Sequence, residues 1–131
     1  MNSYVFGKPV ALPFARAVER ITEELGKQGF GVLTDIDVQA TMKKKLGQDM
    51  PAYRILGACN PGMASQALAA DPQIGALLPC NVVVREDAQG MVHVEAMDPD
   101  AVLKLADHPA VPALATEVRR RLQLALDGLV D

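Results

Sequence analysis

Tyr53-Arg54-Ile55-Leu56-Gly57-Ala58-Cys59-Asn60-Pro61 decides the fold. Its first seven residues read as a strand. Asn60-Pro61 then supplies a helix start: an asparagine whose side chain accepts from free backbone N–H groups, and a proline where no N–H is needed. The helix is expected to reach about Ala70 and to stop at Asp71-Pro72. Ile74 to Pro79 follows as an apolar connector. Asn81 to Glu86, around Val82-Val83-Val84, and Met91 to Met97 are two further strands. Asp87-Ala88-Gln89-Gly90 joins them as a hairpin loop, so these neighbours run antiparallel. In the last strand Val92, Val94 and Ala96 share one face, and His93 and Glu95 share the other.

Upstream, Phe30 to Val38 alternates. Val32, Thr34, Ile36 and Val38 are expected on one face, with Leu33, Asp35 and Asp37 on the other and one side buried. Gln39 to Gly47 reads as a short helix with Met42 and Leu46 inward and Lys43, Lys44 and Lys45 mostly outward. Before it, Phe14, Ala17, Val18, Ile21 and Leu25 follow helical spacing. Arg16, Glu19, Arg20, Glu23 and Glu24 lie opposite, which makes an amphipathic helix opened by Pro13 and ended near Gly26 and Gly29. Arg20 and Glu24 are spaced to pair. Within Met1 to Leu12, Tyr4-Val5-Phe6 and Val10-Ala11-Leu12 read as a first strand, with Gly7 and Pro9 marking a bulge or an edge. Asp98-Pro99 opens a short helix to about Ala106, and His108-Pro109 breaks it. Val111, Leu114, Val118, Leu122, Ala125 and Leu129 define a long C-terminal helix. The sum is a single α+β domain over 1–131, a mostly antiparallel sheet of about five strands with two long helices on one face.

The 131 residues are half apolar, which excludes collagen-like and disordered classes and allows a real core. Thirteen Lys and Arg against sixteen Asp and Glu leave a net charge of −3, which argues against nucleic acid or an anionic membrane as partner. Five aromatics are too few to interleave with a basic patch. Lys43 to Lys45 and Arg119 to Arg121 fall on helices, where consecutive side chains diverge, so both runs read as solvated. No apolar run approaches ~18 residues, the N-terminus lacks a secretory pattern, and two cysteines do not make a disulfide framework. The expected compartment is the cytoplasm. No phosphate-cradling glycine loop, nucleophile elbow or paired-histidine zinc motif is present.

Two blocks carry the chemistry: Ala58-Cys59-Asn60-Pro61 and Pro79-Cys80-Asn81-Val82. Cys59 precedes a helix N-terminus, where the dipole and free N–H groups favour a thiolate. Cys80 opens the next strand, so antiparallel pairing is expected to bring both thiols to one sheet end. They could form a redox pair, carry sulfur or take up a soft metal, or they could simply pack as buried cysteines do. Their spacing is not a metal-binding one, and no metal site is expected. Asn60 and Asn81 would position a ligand or the backbone by hydrogen bonds. Asp35 and Asp37 could serve acid–base work with His93 only if the three converge. His108 reads as a helix-end residue.

Tyr53 to Pro61, Ala64, Ala67-Leu68 and Ile74 to Arg85, with the flanking Gly29-Phe30 and Asp98-Pro99, resemble the bacterial and archaeal family called domain of unknown function 302. The resemblance covers nearly the whole chain. It implies a TATA-binding-protein-like fold, a curved antiparallel sheet packed against two helices. It implies no DNA binding and transfers no catalytic residue or cofactor. The expected function is a small-ligand-binding or thiol-based module centred on Cys59, Cys80, Asn60 and Asn81. The alternative is a non-catalytic homodimer, closed through the connector Ile74 to Leu78 and the alanine-rich helix.

Overall fold

The computed structural model describes residues 4–130. Five strands, β1 (Val5–Val10), β2 (Gly31–Asp37), β3 (Tyr53–Cys59), β4 (Cys80–Glu86) and β5 (Val92–Met97), form one sheet in the order β1-β5-β4-β3-β2. Every neighbouring pair is antiparallel. The expected strand within Met1 to Leu12 is β1, and Met1 to Ser3 lie outside the described residues.

Helices α1 (Phe14–Lys27) and α5 (Val111–Asp127) cover one face of the sheet. Their apolar stripes supply Ile21 and Leu25, and Leu122 and Ala125, against Val82, Val84, Val94 and Ala96 of the two central strands. These side chains alternate along each strand, and each is almost wholly removed from water. The expected stripe of α1 holds, with one exception. Glu24 is only 5% exposed, although it lies among the polar residues. Arg20 and Lys27 donate to its carboxylate at 2.9 and 2.7 Å, and Arg20 also reaches the Gly128 carbonyl at 3.3 Å. The last turn of the chain passes over Glu24 so closely that a Cβ on Gly128 would collide with its carboxylate.

Three shorter helices complete the chain: α2 (Val38–Leu46), α3 (Pro61–Ala70) and α4 (Pro99–Val102). The connector after α3 is a 3-10 helix, Pro72–Leu77. Its Ile74 is 1% exposed and packs with Ala67, Leu103, Val111 and Ala115 in a second, smaller core. Ile74 is thus spent inside its own chain, Leu77 and Leu78 pack half-buried against the same core, and Gly75 and Ala76 stay exposed.

β2 departs from simple alternation. Val32 pairs with Ala58 and Thr34 with Gly57, so Leu33 is one extra residue opposite β3. A bulge shifts the phase of all that follows. Val32 stays on the helical face, and Thr34 and Ile36 move to the open one. Asp35 and Asp37 arrive on the helical side beside Arg54. Arg54 grips Asp35 with two hydrogen bonds, one of 2.7 Å from Nε to Oδ1, and holds that carboxyl below the usual carboxylate range. Asp37 accepts from the Ala40 N–H and caps α2. Beyond Val32 the whole strand is exposed, and α2 buries no residue. Leu46, expected inward, is 63% exposed.

Candidate functional site

The β3–α3 junction and the start of β4 lie side by side because Ala58 pairs with Cys80. Asn60 ends the strand in an extended conformation, and its Oδ1 accepts from the Met63 N–H at 3.2 Å. The cap and Pro61 start α3 there, and α3 then runs over the end of the sheet toward α5. Gly57 lets Pro79 approach: a Cβ on it would stand 2.8 Å from Pro79 Cγ and inside the Thr34 side chain.

Between α3, α5 and the end of β3–β4 lies a cavity of about 290 Å³. Met63 and Ala67 border it from α3, Leu114 and Val118 from α5, and Ala58 and Cys80 from the sheet. Of its sixteen lining residues, only Asn60 carries an amide, and none carries a charge. Such a lining excludes water-stabilised ions and favours apolar matter.

Both cysteines border this cavity, as free thiols. They are not equivalent. Cys80 shares a face with Ala58, is 5% exposed, and its thiol is pushed up to about 11 by burial, with the neighbouring Cys59 adding to the shift. Cys59 is half-buried and lies one residue further along β3, so alternation turns it toward the other face. The two thiols share a sheet end and the border of one cavity, and no disulfide joins them. Asn81 parts from the others altogether. It sits opposite Gly57 on the uncovered face, exposed, while Asn60 stays with the cavity.

The other expected candidates do not converge. His93 Nε2 lies 2.8 Å from Asp87 Oδ2, on the uncovered face of β5, whereas the Asp35–Arg54 pair lies on the helical face of β2 and β3, with β4 between. That contact and the Met91 N–H hold Asp87 below its ordinary value. His108 Nδ1 accepts from the Ala110 N–H at the start of α5, the helix-end role expected of it. Among the described residues, no group of three or more His, Cys, Asp or Glu could hold a metal ion. None of the helices described is long and apolar enough to cross a membrane. Sequence reasoning placed Leu114 and Val118 in a core stripe; their spacing gave no sign that a cavity lay beside them.

A family model described as domain of unknown function DUF302 matches residues 6–129. The fold is similar to the crystal structure of an uncharacterized conserved DUF302 protein from Bacillus stearothermophilus. The TM-score is 0.89 at 28% sequence identity, covering 97% of this chain and 98% of that one. No curated protein matches the chain.

Proposed function

The chain belongs to the DUF302 family, and from that premise we propose that it is a binding module for a small, largely apolar molecule. The observation that carries this reading is the cavity between α3, α5 and the β3–β4 end, with its nearly unbroken apolar lining. Its volume lies near the lower end of ordinary ligand sites. In this reading the first Cys-Asn block supplies the mouth and Cys80 a wall. Burial holds the Cys80 thiol protonated at neutral pH, which favours packing over nucleophilic or redox work. Two cysteines in 131 residues, too few for a disulfide framework, fit a reducing compartment such as the cytoplasm.

A neutral fluorescent probe, N-phenyl-1-naphthylamine, tests the reading. It is expected to bind once per chain. Ala64→Phe, which fills the cavity from α3, is expected to weaken binding tenfold or more while the protein stays folded by circular dichroism. Equal binding to both proteins would refute the cavity as the site.

The exposed margin of the sheet favours a second reading, a homodimer. β2 is an edge strand with unpaired backbone groups, and Leu33, Ile36 and Leu46 beside it are 68%, 48% and 63% exposed. An unpaired edge with apolar neighbours is a template for another strand, and a second copy of the same edge is self-complementary under a twofold axis. Light scattering across concentration is expected to give twice the chain mass, and Ile36→Lys to return it to the monomer mass. A monomer at every concentration would remove this reading.

A further inference from the structure

The mouth of the cavity holds donors that its apolar wall does not account for. Asn60 spends its Oδ1 on the α3 cap, and its amide Nδ2 has no partner among the described residues. That nitrogen points at Gly29. Arg121 lies on α5 on the same side as Leu114 and Val118, one turn beyond the cavity wall. Its Nε donates to Glu117 at 2.9 Å, and its two terminal nitrogens have no partner among the described residues.

Both groups close on one point. A Cβ on Gly29 would stand 3.1 Å from Asn60 Nδ2 and 3.5 Å from Arg121 Nη1. Gly29 has φ +84°, a conformation that favours glycine, so no side chain covers the two donors. Phe30, the next residue, already borders the cavity. The carboxylate that Arg121 holds is Glu117, and it is shared between two guanidiniums, with Arg120 donating at 2.7 Å from both Nε and Nη2. Two cations around one anion leave one positive charge at this corner.

An amide N–H₂ and a guanidinium are donors only, and together they match an anion with two oxygens in a plane. Beside them the cavity of about 290 Å³ has the volume of about ten water molecules at ~30 Å³ each, and a methylene group is of similar size. We infer that the ligand is an amphipathic carboxylate, its head held at Gly29 by Asn60 Nδ2 and Arg121 and its hydrocarbon body in the cavity. This rests on the cavity being the binding site and adds to it the class of molecule that fits.

Decanoate and 1-decanol share a tail and differ in the head, so calorimetric titration of the full chain with each separates the two ideas. Decanoate is expected to bind at least tenfold more tightly than decanol. Arg121→Gln should bring decanoate to the level of decanol and leave decanol unchanged. Asn60→Asp keeps an oxygen for the α3 cap and replaces the donor by a like charge; it should weaken decanoate tenfold or more and spare decanol. Equal binding of the two ligands to the unaltered protein, or a preference that survives Arg121→Gln, overturns the head-group assignment and leaves the cavity reading standing. Binding of the naphthylamine probe without either decyl ligand does the same. Failure of all three to bind overturns both.

Discussion

Under native conditions at pH 8, Cys80 is expected to react with iodoacetamide about a hundredfold more slowly than a thiol in the unfolded chain, from ionisation alone. The alkylating species is the thiolate. A thiol at the ordinary 9.0 is about one-tenth thiolate at pH 8, and one at about 11 is about one-thousandth. Access lowers the rate further, since Cys80 is 5% exposed. Intact mass after brief labelling should show a single adduct at the half-buried Cys59 and a second only after denaturation. The same burial makes stability depend on pH. Between pH 9 and 11 the folded state keeps a proton that the unfolded chain releases, so stability falls as pH rises through this window and is fully retained below it. Two pH units correspond to about 2–3 kcal/mol. Urea denaturation at pH 8 and pH 10.5, which crosses about three-quarters of the window, should show a loss of about 2 kcal/mol in the unaltered protein and lack it in Cys80→Ala, the comparison cancelling lysine and tyrosine titration. Rapid native labelling of Cys80 would return the site to thiol chemistry.

What the sequence made legible was local. Asn60-Pro61 and Asp98-Pro99 each cap a helix through their own side chain and ring, and both caps form as expected. The stripes of α1 and α5 repeat every three or four residues, and the two helices bury them. What stayed hidden depends on residues distant in the chain. The phase of β2 changes at Leu33 because its partner β3 leaves one residue unmatched, and nothing within Phe30 to Val38 announces that. Leu46 has a helical spacing but no surface to meet. Glu24 is buried because Gly128 crosses it more than a hundred positions later. The two Cys-Asn blocks look alike, yet Cys59-Asn60 ends a strand and Cys80-Asn81 begins one. Alternation therefore carries Asn81 to the opposite face from Cys80, while the chain at Asn60 has already turned into α3. Arg121 read as one of a solvated run, because only the fold brings it to Gly29.

Gly7→Ala is expected to cost about 3 kcal/mol, more than Gly57→Ala, although both glycines lie in strands where a side chain has no room. The difference is in what obstructs the new methyl group. At Gly7 the Cβ would stand 2.6 Å from Glu95 Cα and 3.0 Å from the Val94 carbonyl carbon, and would run into the carbonyl oxygen. These are backbone atoms of β5, which is held on its other side by β4, so β5 cannot retreat. β1 must move instead, and that breaks a ladder running from Val5 to Val10 and exposes the buried Val10. At Gly57 the obstacles are the Thr34 side chain and the Pro79 ring. Thr34 is exposed on an edge strand and can rotate away, so the cost should be about 1–2 kcal/mol. Gly57→Ala combined with Thr34→Ala should recover part of it. Urea denaturation of the three variants checks the order, and a Gly57→Ala cost equal to or above that of Gly7→Ala would contradict it. Binding should rank them the other way. Pro79 lines the cavity, and a methyl group on Gly57 must push it. Gly57→Ala should therefore weaken the naphthylamine probe severalfold, whereas folded Gly7→Ala, altered at the far edge of the sheet, should bind it as the unaltered protein does.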